Sequence, residues 1–159
     1  MRPGRESLPP AHWHARCWGV TVNPKPTAID ATRDLVLFAD DDPALCCLWA
    51  YLFERNGIEV TLATTGAEAL AAALARRPKV AILDVWMPRL SGLKVCARIK
   101  RDPRTADTFV VLVSGDSDPR VRRKALAAGA GRFLTKPLDD DVLLGIVLER
   151  VGIKTGACL

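Results

Sequence analysis

Short, almost continuous apolar runs alternate with helical patterns along most of the chain. The runs VAILDV (80–85) and FVVLVS (109–114) lack the apolar–polar alternation of a strand with one face in water. Such runs are typical of strands that are buried on both faces of a parallel sheet. A helical pattern follows each strand, and sheets of this kind carry helices on both faces. The sequence therefore predicts an α/β fold with a five-stranded parallel sheet between two layers of helices.

The predicted elements divide the chain into three parts. Strands are expected over 34–39, 58–63, 80–85, 109–114 and 132–135, and helices over 43–57, 65–77, 91–101, 118–129 and 138–152. Together they make residues 34–153 one domain. Residues 1–33 are rich in Pro and Arg and show no strand or helix period, so we expect a flexible N-terminal extension. Residues 154–159 are expected to form a short tail.

Charge and hydropathy argue against two classes of partner. The net charge is +5, but residues 1–33 hold five Lys or Arg and two Asp or Glu, so the remainder carries only +2 with both signs mixed. That distribution is not the basic stripe of a nucleic-acid-binding surface. No apolar stretch reaches the ~18 residues of a membrane helix. The N-terminus also lacks the apolar core of a secretory signal. We expect a cytoplasmic protein without direct nucleic-acid or membrane contacts.

Polar and charged side chains follow the predicted strands where each strand ends. The first strand is followed by Asp40, Asp41 and Asp42, the third ends at Asp84, and Ser114 ends the fourth. Lys136 follows the fifth strand. Ligands of open parallel sheets bind at the carboxyl ends of the strands. We therefore expect these side chains to share one edge of the sheet.

Clustered carboxylates repel one another and need a cation. Carboxylate oxygens on a shallow edge suit Mg²⁺, or Mn²⁺, and the Lys136 ammonium suits a phosphoryl oxygen. With these charges neutralised, an aspartate can attack phosphorus in line. Each residue alone has a simpler explanation, and Asp42 before Pro43 is expected to be a helix N-cap. Their shared position in chain order favours a phosphoacceptor site.

The motifs LFADDDP, AILDVWMPRLSGLKV, VVLVSGDS and GAGRFLTKPL resemble the receiver domain of two-component response regulators. The resemblance covers about residues 34–152. It implies the flavodoxin-like strand order 2-1-3-4-5 and a phosphoacceptor at Asp84. It also implies that Asp41, Asp84 and the Trp86 carbonyl bind Mg²⁺, with Asp40 acting through water. Lys136 would contact the phosphoryl group, beside a cis bond to Pro137.

The resemblance also assigns a switch. Ser114 matches the hydroxyl that turns towards the phosphoryl group, and Phe133 matches the aromatic residue that follows it. Two positions depart from the commonest pattern, because Trp86 is bulky and Asp116 is acidic. Both border the path of the attacking water in similar proteins. We expect them to tune phosphoryl lifetime, with Trp86 shielding the group.

The resemblance implies a signalling protein rather than an enzyme that acts on other substrates. We expect a stand-alone receiver that takes its phosphoryl group from a histidine kinase or a histidine phosphotransfer protein. Its output would reach a protein partner through the last two helices and the last strand. The basic fourth helix, with Arg120, Arg122, Arg123 and Lys124, is read as a solvated face slightly ahead of an acidic-partner site.

The first helix offers a second surface. A stripe of Leu45, Leu48, Trp49 and Leu52 is predicted to face the core. The opposite face would then carry Cys46, Cys47, Ala50 and Tyr51, and exposed apolar faces often mark partners. In proteins similar to this one the first helix docks a histidine kinase or a phosphotransfer protein, so the resemblance implies such a docking site here, with a dimer contact as the alternative.

Three other functions were weighed. The first is a phosphorylation-independent scaffold with the same fold. The presence of the complete acidic pair, acceptor, hydroxyl and lysine argues against it, because a scaffold does not need them. An aspartyl-phosphate phosphatase needs Asp-x-Asp after the first strand, whereas Val85 and Trp86 follow the acceptor-like Asp84. A flavodoxin-like cofactor binder needs a Ser, Thr or Gly-rich phosphate loop after that strand, where this chain has three acids.

Overall fold

The structure is a computed structural model and describes residues 35–153. The expected N-terminal extension over 1–33 and the tail over 154–159 lie outside the described residues. The strands are β1 (Leu35–Ala39), β2 (Glu59–Ala63), β3 (Val80–Asp84), β4 (Phe109–Ser114) and β5 (Arg132–Thr135). The helices are α1 (Pro43–Arg55), α2 (Gly66–Arg76), α3 (Gly92–Arg101), α4 (Pro119–Ala127) and α5 (Asp140–Val151).

The five strands form one parallel sheet in the order β2-β1-β3-β4-β5, as predicted. Each strand and helix lies within two residues of its predicted position at either end, the usual uncertainty of helix and strand boundaries. The register pairs Asp84 with Val113 and Ser114 with Thr135. The carboxyl ends of β3, β4 and β5 therefore meet at the same edge.

Alternate side chains of the buried strands supply two separate cores. Leu37 and Leu83 pack with α2, α3 and α4 on one face of the sheet. Phe38 and Ile82 pack with α1 and α5 on the other face. Because successive side chains of a strand point to opposite faces, a strand with two buried faces must be apolar at every position. That is why the strands lack alternation.

Helix starts follow the capping chemistry of the sequence. Asp42 caps α1 as predicted, and its Oδ1 accepts hydrogen bonds from the main-chain nitrogens of Ala44 at 2.9 Å and Leu45 at 3.4 Å. Asp118 and Asp139 cap α4 and α5 in the same way. One of the three acids after β1 is thus occupied with the helix, which leaves two for the edge of the sheet.

The prediction for the inward face of α1 was right only in part: Trp49 is buried and Leu45 and Leu52 are half-buried against the same core, but Leu48 lies at the surface. The buried residues of this helix are Cys46, Trp49, Ala50 and Phe53, whereas Leu48 is 49% exposed. Both stripes have helical spacing, and aromatic packing decides between them. The Phe53 and Trp49 rings lie 5.5 Å apart and both contact Phe38 of β1. Of the predicted docking face, Cys46 and Ala50 are therefore buried in the core, whereas Cys47 and Tyr51 are half-buried.

No helix among residues 35–153 combines the length and the apolar character needed to cross a membrane.

Candidate functional site

Four predicted site residues converge at the carboxyl edge of the sheet. Asp40 and Asp41 follow β1, Asp84 is the last residue of β3, and Lys136 follows β5. One oxygen from each of the three carboxylates lies within 4.8 Å of the others. No second group of three potential metal ligands lies this close together anywhere between residues 35 and 153. The edge is thus a compact acidic cluster.

Lys136 bridges two of these carboxylates. Its Nζ lies 2.6 Å from Oδ2 of Asp40 and 3.7 Å from Oδ2 of Asp84. Asp40 and Asp84 are almost fully buried, whereas Asp41 is exposed. The peptide bond between Lys136 and Pro137 is cis, as the resemblance implied. The ammonium therefore lies against the buried side of the cluster, and Asp41 lies on its open side.

The environment of Asp84 opposes its ionisation. Burial raises the pKa of Asp84 to about 6, although the Lys136 ammonium lowers it. The charge of Asp40 raises it further, and a hydrogen bond from the Trp86 main-chain nitrogen lowers it. Burial alone would lower the pKa of Lys136, but its hydrogen bond to Asp40 and the nearby carboxylates raise it overall. The lysine is thus firmly cationic beside a desolvated carboxylate.

The donor set fits a hard divalent cation. Three carboxylates face one ammonium, so the cluster is negative when all four groups are charged. Mg²⁺ takes one or two protein carboxylates and keeps several waters. Asp41 provides a solvent-facing carboxylate and Asp84 a buried one. Both oxygens of Asp40 are already engaged, because Oδ1 accepts a hydrogen bond from the Asp42 nitrogen at 2.9 Å and Oδ2 binds Lys136.

Ser114 and Asp116 lie at the end of the neighbouring strand. Ser114 is fully buried, and its Oγ accepts a hydrogen bond from the Asp116 main-chain nitrogen at 3.0 Å. Its carbonyl accepts a hydrogen bond from the Lys136 nitrogen at 2.9 Å. A carboxylate oxygen of Asp116 accepts one from the Asp118 nitrogen at 2.9 Å. The hydroxyl is thus held by the loop that leads into α4, and its own proton remains available to a neighbour.

Phe133 and Trp86 occupy contrasting environments. Phe133 of β5 is half-buried and packs against the core beneath α4. Trp86 lies two residues after Asp84 and is 60% exposed. The Trp86 ring therefore lies at the surface near the acidic cluster, whereas Phe133 belongs to the edge of the core.

Sequence reasoning missed two supports of the site. Gly92 opens α3 against β3, where a Cβ atom would lie 2.1 Å from the Asp84 carbonyl oxygen. Its nitrogen donates to the Val85 carbonyl at 3.0 Å. The signal was present in the motif LSGLKV, but only the fold shows what the glycine contacts. Cys46 lies below the acidic pair and donates its thiol hydrogen bond to the Asp40 carbonyl at 3.3 Å.

Comparison with known proteins identifies the class. A parallel sheet in this order, with acids and a lysine at its carboxyl edge, is the architecture of receiver domains. The family model of the response regulator receiver domain matches residues 36–148. The chain belongs to this family, whose members act in two-component signalling by accepting a phosphoryl group on an aspartate.

Individual relatives are similar over the same region. The chain is 38% identical over 129 residues to the transcriptional regulatory protein CseB of Streptomyces avermitilis, covering 79% of this chain and 54% of CseB. It is 34% identical over 112 residues to the DNA-binding dual master transcriptional regulator RpaA of Synechocystis, covering 70% of this chain and 46% of RpaA. The chain thus spans about half the length of these curated relatives.

A solved structure with bound magnesium is among those that share the fold. It is the receiver domain of a sensor histidine kinase from Pseudomonas aeruginosa, with magnesium in its active-site cleft. It matches with a TM-score of 0.69 and 22% identity over 76% of this chain and 98% of that domain.

Proposed function

We propose that this chain is a phosphorylation-driven signalling switch in which Asp84 accepts the phosphoryl group. The observation that carries this proposal is the position of Lys136, whose Nζ lies 2.6 Å from Asp40 and 3.7 Å from Asp84 within the acidic cluster. A structural ion pair would need one carboxylate. The chain instead holds a third, exposed one beside them, as expected of a site that receives a cation and a phosphoryl group together.

The donor is a phosphohistidine of a histidine kinase or a histidine phosphotransfer protein. A carboxylate oxygen of Asp84 forms a bond to phosphorus while the phosphorus–nitrogen bond of the donor breaks. The electron pair stays on the imidazole nitrogen of the donor. Lys136 neutralises charge on a phosphoryl oxygen, as a compact ammonium can. The chain is the acceptor in this reaction and not an enzyme for other substrates.

Mg²⁺, or Mn²⁺, would be held by Asp41, Asp84 and the main-chain carbonyl of Trp86. Asp40 would act through water, because its two oxygens already bind Lys136 and the Asp42 nitrogen. When bound, the ion screens negative charge between the carboxylates and the phosphoryl oxygens. Magnesium in the cleft of the Pseudomonas aeruginosa receiver domain supports this choice.

Ser114 carries the signal away from the site. Its hydroxyl turns towards the phosphoryl oxygen and leaves the Asp116 nitrogen, which loosens the loop before α4. Phe133 then moves inwards beneath α4. This shifts the population of two arrangements of the surface between Val121 and Val151. A protein partner reads that surface.

Two residues at the rim set how long the signal lasts. Trp86 covers the phosphoryl group and slows its hydrolysis, and Asp116 modifies access for water. Trp86 is already at the surface, so covering the group requires only side-chain rotation. A cytoplasmic location and an output that needs no direct nucleic-acid contact remain parts of this proposal.

Fluorescence of Trp86 tests the proposal in real time. The chain contains four tryptophans, and Trp49 is buried in the core, away from the exposed Trp86. We expect acetyl phosphate with Mg²⁺ to change the emission of the wild type. Asp84→Asn should abolish the change, and Trp86→Phe should abolish it without preventing phosphorylation. An unchanged wild-type spectrum together with no phosphoryl adduct by mass would favour a phosphorylation-independent scaffold instead.

A further inference from the structure

An open cavity lies at the edge of the sheet opposite the acidic cluster. It has a volume of about 370 Å³ and lies where β3 and β4 begin. Its walls come from the loops before these strands and from the last turns of α3 and α5. Small-molecule sites in proteins have volumes from ~300 Å³ upwards. The cavity is therefore large enough for a small ligand.

Positive charge is concentrated in this cavity. Its lining contains five cations against one carboxylate, that of Asp107, and the cations are Arg77, Lys79, Lys100, Arg104 and Arg150. Residues 35–153 hold seventeen Lys or Arg and fifteen Asp or Glu, which gives a net charge of +2. The lining alone carries a net charge of +4, so the remaining described residues are negative overall. The cavity is a local basic site on a domain without a general positive charge.

Two of the cations are held in place by the fold. Lys100 Nζ donates to the carbonyls of Ala106 at 3.0 Å and Thr108 at 2.6 Å. The Arg150 guanidinium carbon lies 3.9 Å from the centre of the Phe109 ring. Side chains that are already fixed lose little conformational entropy when a ligand binds. These two residues are therefore a preorganised part of the wall.

Arg77 shows a further unusual feature. It caps α2 in the left-handed conformation with φ 49°, where glycine or asparagine is favoured. Its side chain is exposed, and its charge interacts with the Asp102 carboxylate, which is also paired with Arg104. An arginine kept in a disfavoured backbone conformation, whose acidic neighbour is shared with another arginine, is consistent with a role in binding.

Helix dipoles explain only part of the cluster. Cations are favourable near helix C-termini, and Lys100 and Arg150 lie in last turns. Lys79 and Arg104 lie outside the helices. Arg104 is paired with Asp102 at 2.7 Å, and Asp102 also interacts with Arg77, so this carboxylate offsets part of the positive charge around the cavity.

We propose that this basic cavity, lined by Arg77, Lys79, Lys100, Arg104 and Arg150, binds a small ligand that carries two or more phosphate groups. Guanidinium groups match phosphate oxygens with paired hydrogen bonds, and ammonium groups add point charges. A single phosphate would satisfy few of the five cations. A chain of phosphates distributes its charge across the cavity and neutralises several of them together.

Calorimetric titration of the full chain with linear tripolyphosphate tests this proposal. EDTA is present throughout, so that no metal recruits the probe to the acidic edge. Arg77→Gly removes one cation and relieves the positive φ. Arg89→Gly is a matched control, because Arg89 is also exposed, also has a positive φ of 69°, and follows β3 at the opposite edge of the sheet. Neither variant should lower the thermal stability of the fold.

We expect saturable binding to the wild type, about tenfold or more weaker binding to Arg77→Gly, and unchanged binding to Arg89→Gly. Orthophosphate should bind more weakly than tripolyphosphate. Parallel titration with ATP distinguishes the source of the phosphates, since tighter binding than tripolyphosphate assigns a nucleotide and equal binding assigns the phosphate chain alone. Absence of saturable binding to the wild type would overturn the proposal, as would equal losses in the two variants.

Discussion

Replacing Asp84 with asparagine should stabilise the fold at neutral pH while it removes the phosphoacceptor. The Asp84 side chain is only 6% exposed and lies beside a second buried carboxylate, Asp40. Burial is the main reason why its pKa rises from 3.8 to about 6. The folded state therefore holds this carboxyl group in its neutral form more strongly than the unfolded chain does. Ionisation at neutral pH opposes folding, and an amide of the same shape avoids that penalty.

The magnitude follows from the pKa difference. A rise of about two units corresponds to about 3 kcal/mol between the protonation states. The exposed Asp41 side of the site admits water, so we expect about 1–3 kcal/mol for Asp84→Asn above pH 6.5. Because the folded-state pKa is the higher one, the favourable contribution of Asp84 is complete below pH 3.8. It is lost as pH rises through about 6. The advantage of the variant should grow across the same window.

Urea unfolding of both proteins in EDTA, at pH 4.5 and pH 7.5, measures this difference. We expect a larger free energy of unfolding for the variant at pH 7.5 and a smaller gap at pH 4.5. Mg²⁺ should raise the stability of the wild type at pH 7.5 and leave the variant nearly unchanged, because the ion binds the folded wild type. A variant no more stable than the wild type at pH 7.5 would refute the reasoning, and so would a gap that is independent of pH.

Three further changes test other parts of the structure. Gly92→Ala should lower the free energy of unfolding by about 1–3 kcal/mol in urea, because the new Cβ would meet the main chain of β3. Gly145→Ala on α5 is the matched control: its Cβ would enter open space, so the free energy of unfolding should rise by about 1 kcal/mol. Thr105→Val should cost about 1–3 kcal/mol in the same assay, because its buried hydroxyl donates to the Ile99 carbonyl at 2.8 Å. Trp86→Ala should shorten the life of the phosphoryl adduct, followed by intact mass after removal of the donor, and an unchanged lifetime would contradict the shielding role.

The sheet and the positions of the charged residues could be predicted because they depend on local patterns. A strand buried on both faces must be apolar throughout, and the first polar residue after it marks its carboxyl end. Asp40, Asp84 and Ser114 could be located in this way, whereas β5 before Lys136 is a short, partly exposed strand. Parallel strand ends meet at one edge, so proximity followed without knowledge of the detailed packing.

The inward face of α1 could not be predicted in the same way. Two stripes with helical spacing overlap at Trp49, and the choice depends on which aromatic rings meet Phe38 across the core. Such a choice is made by packing between distant segments. The predicted stripe included Leu48 and left out Phe53, whereas the structure leaves Leu48 at the surface and buries Phe53.

Contacts with distant main-chain carbonyls also could not be predicted from the sequence. Gly92 approaches the Asp84 carbonyl because α3 begins directly against β3, and Cys46 reaches the Asp40 carbonyl across the start of α1. The basic cavity is assembled from two separate loops and two helix ends. Its cations are spread between residues 77 and 150, with no motif in the linear sequence.

Locating the phosphoryl group is the measurement that tests the proposed function most directly. The full chain would be incubated with acetyl phosphate and Mg²⁺, its intact mass measured, and the modified residue assigned by fragmenting its peptides. We expect one phosphoryl adduct per chain, on Asp84, that requires Mg²⁺ and is absent from Asp84→Asn. An adduct on another residue, or one that persists in Asp84→Asn, would contradict the assignment of the acceptor.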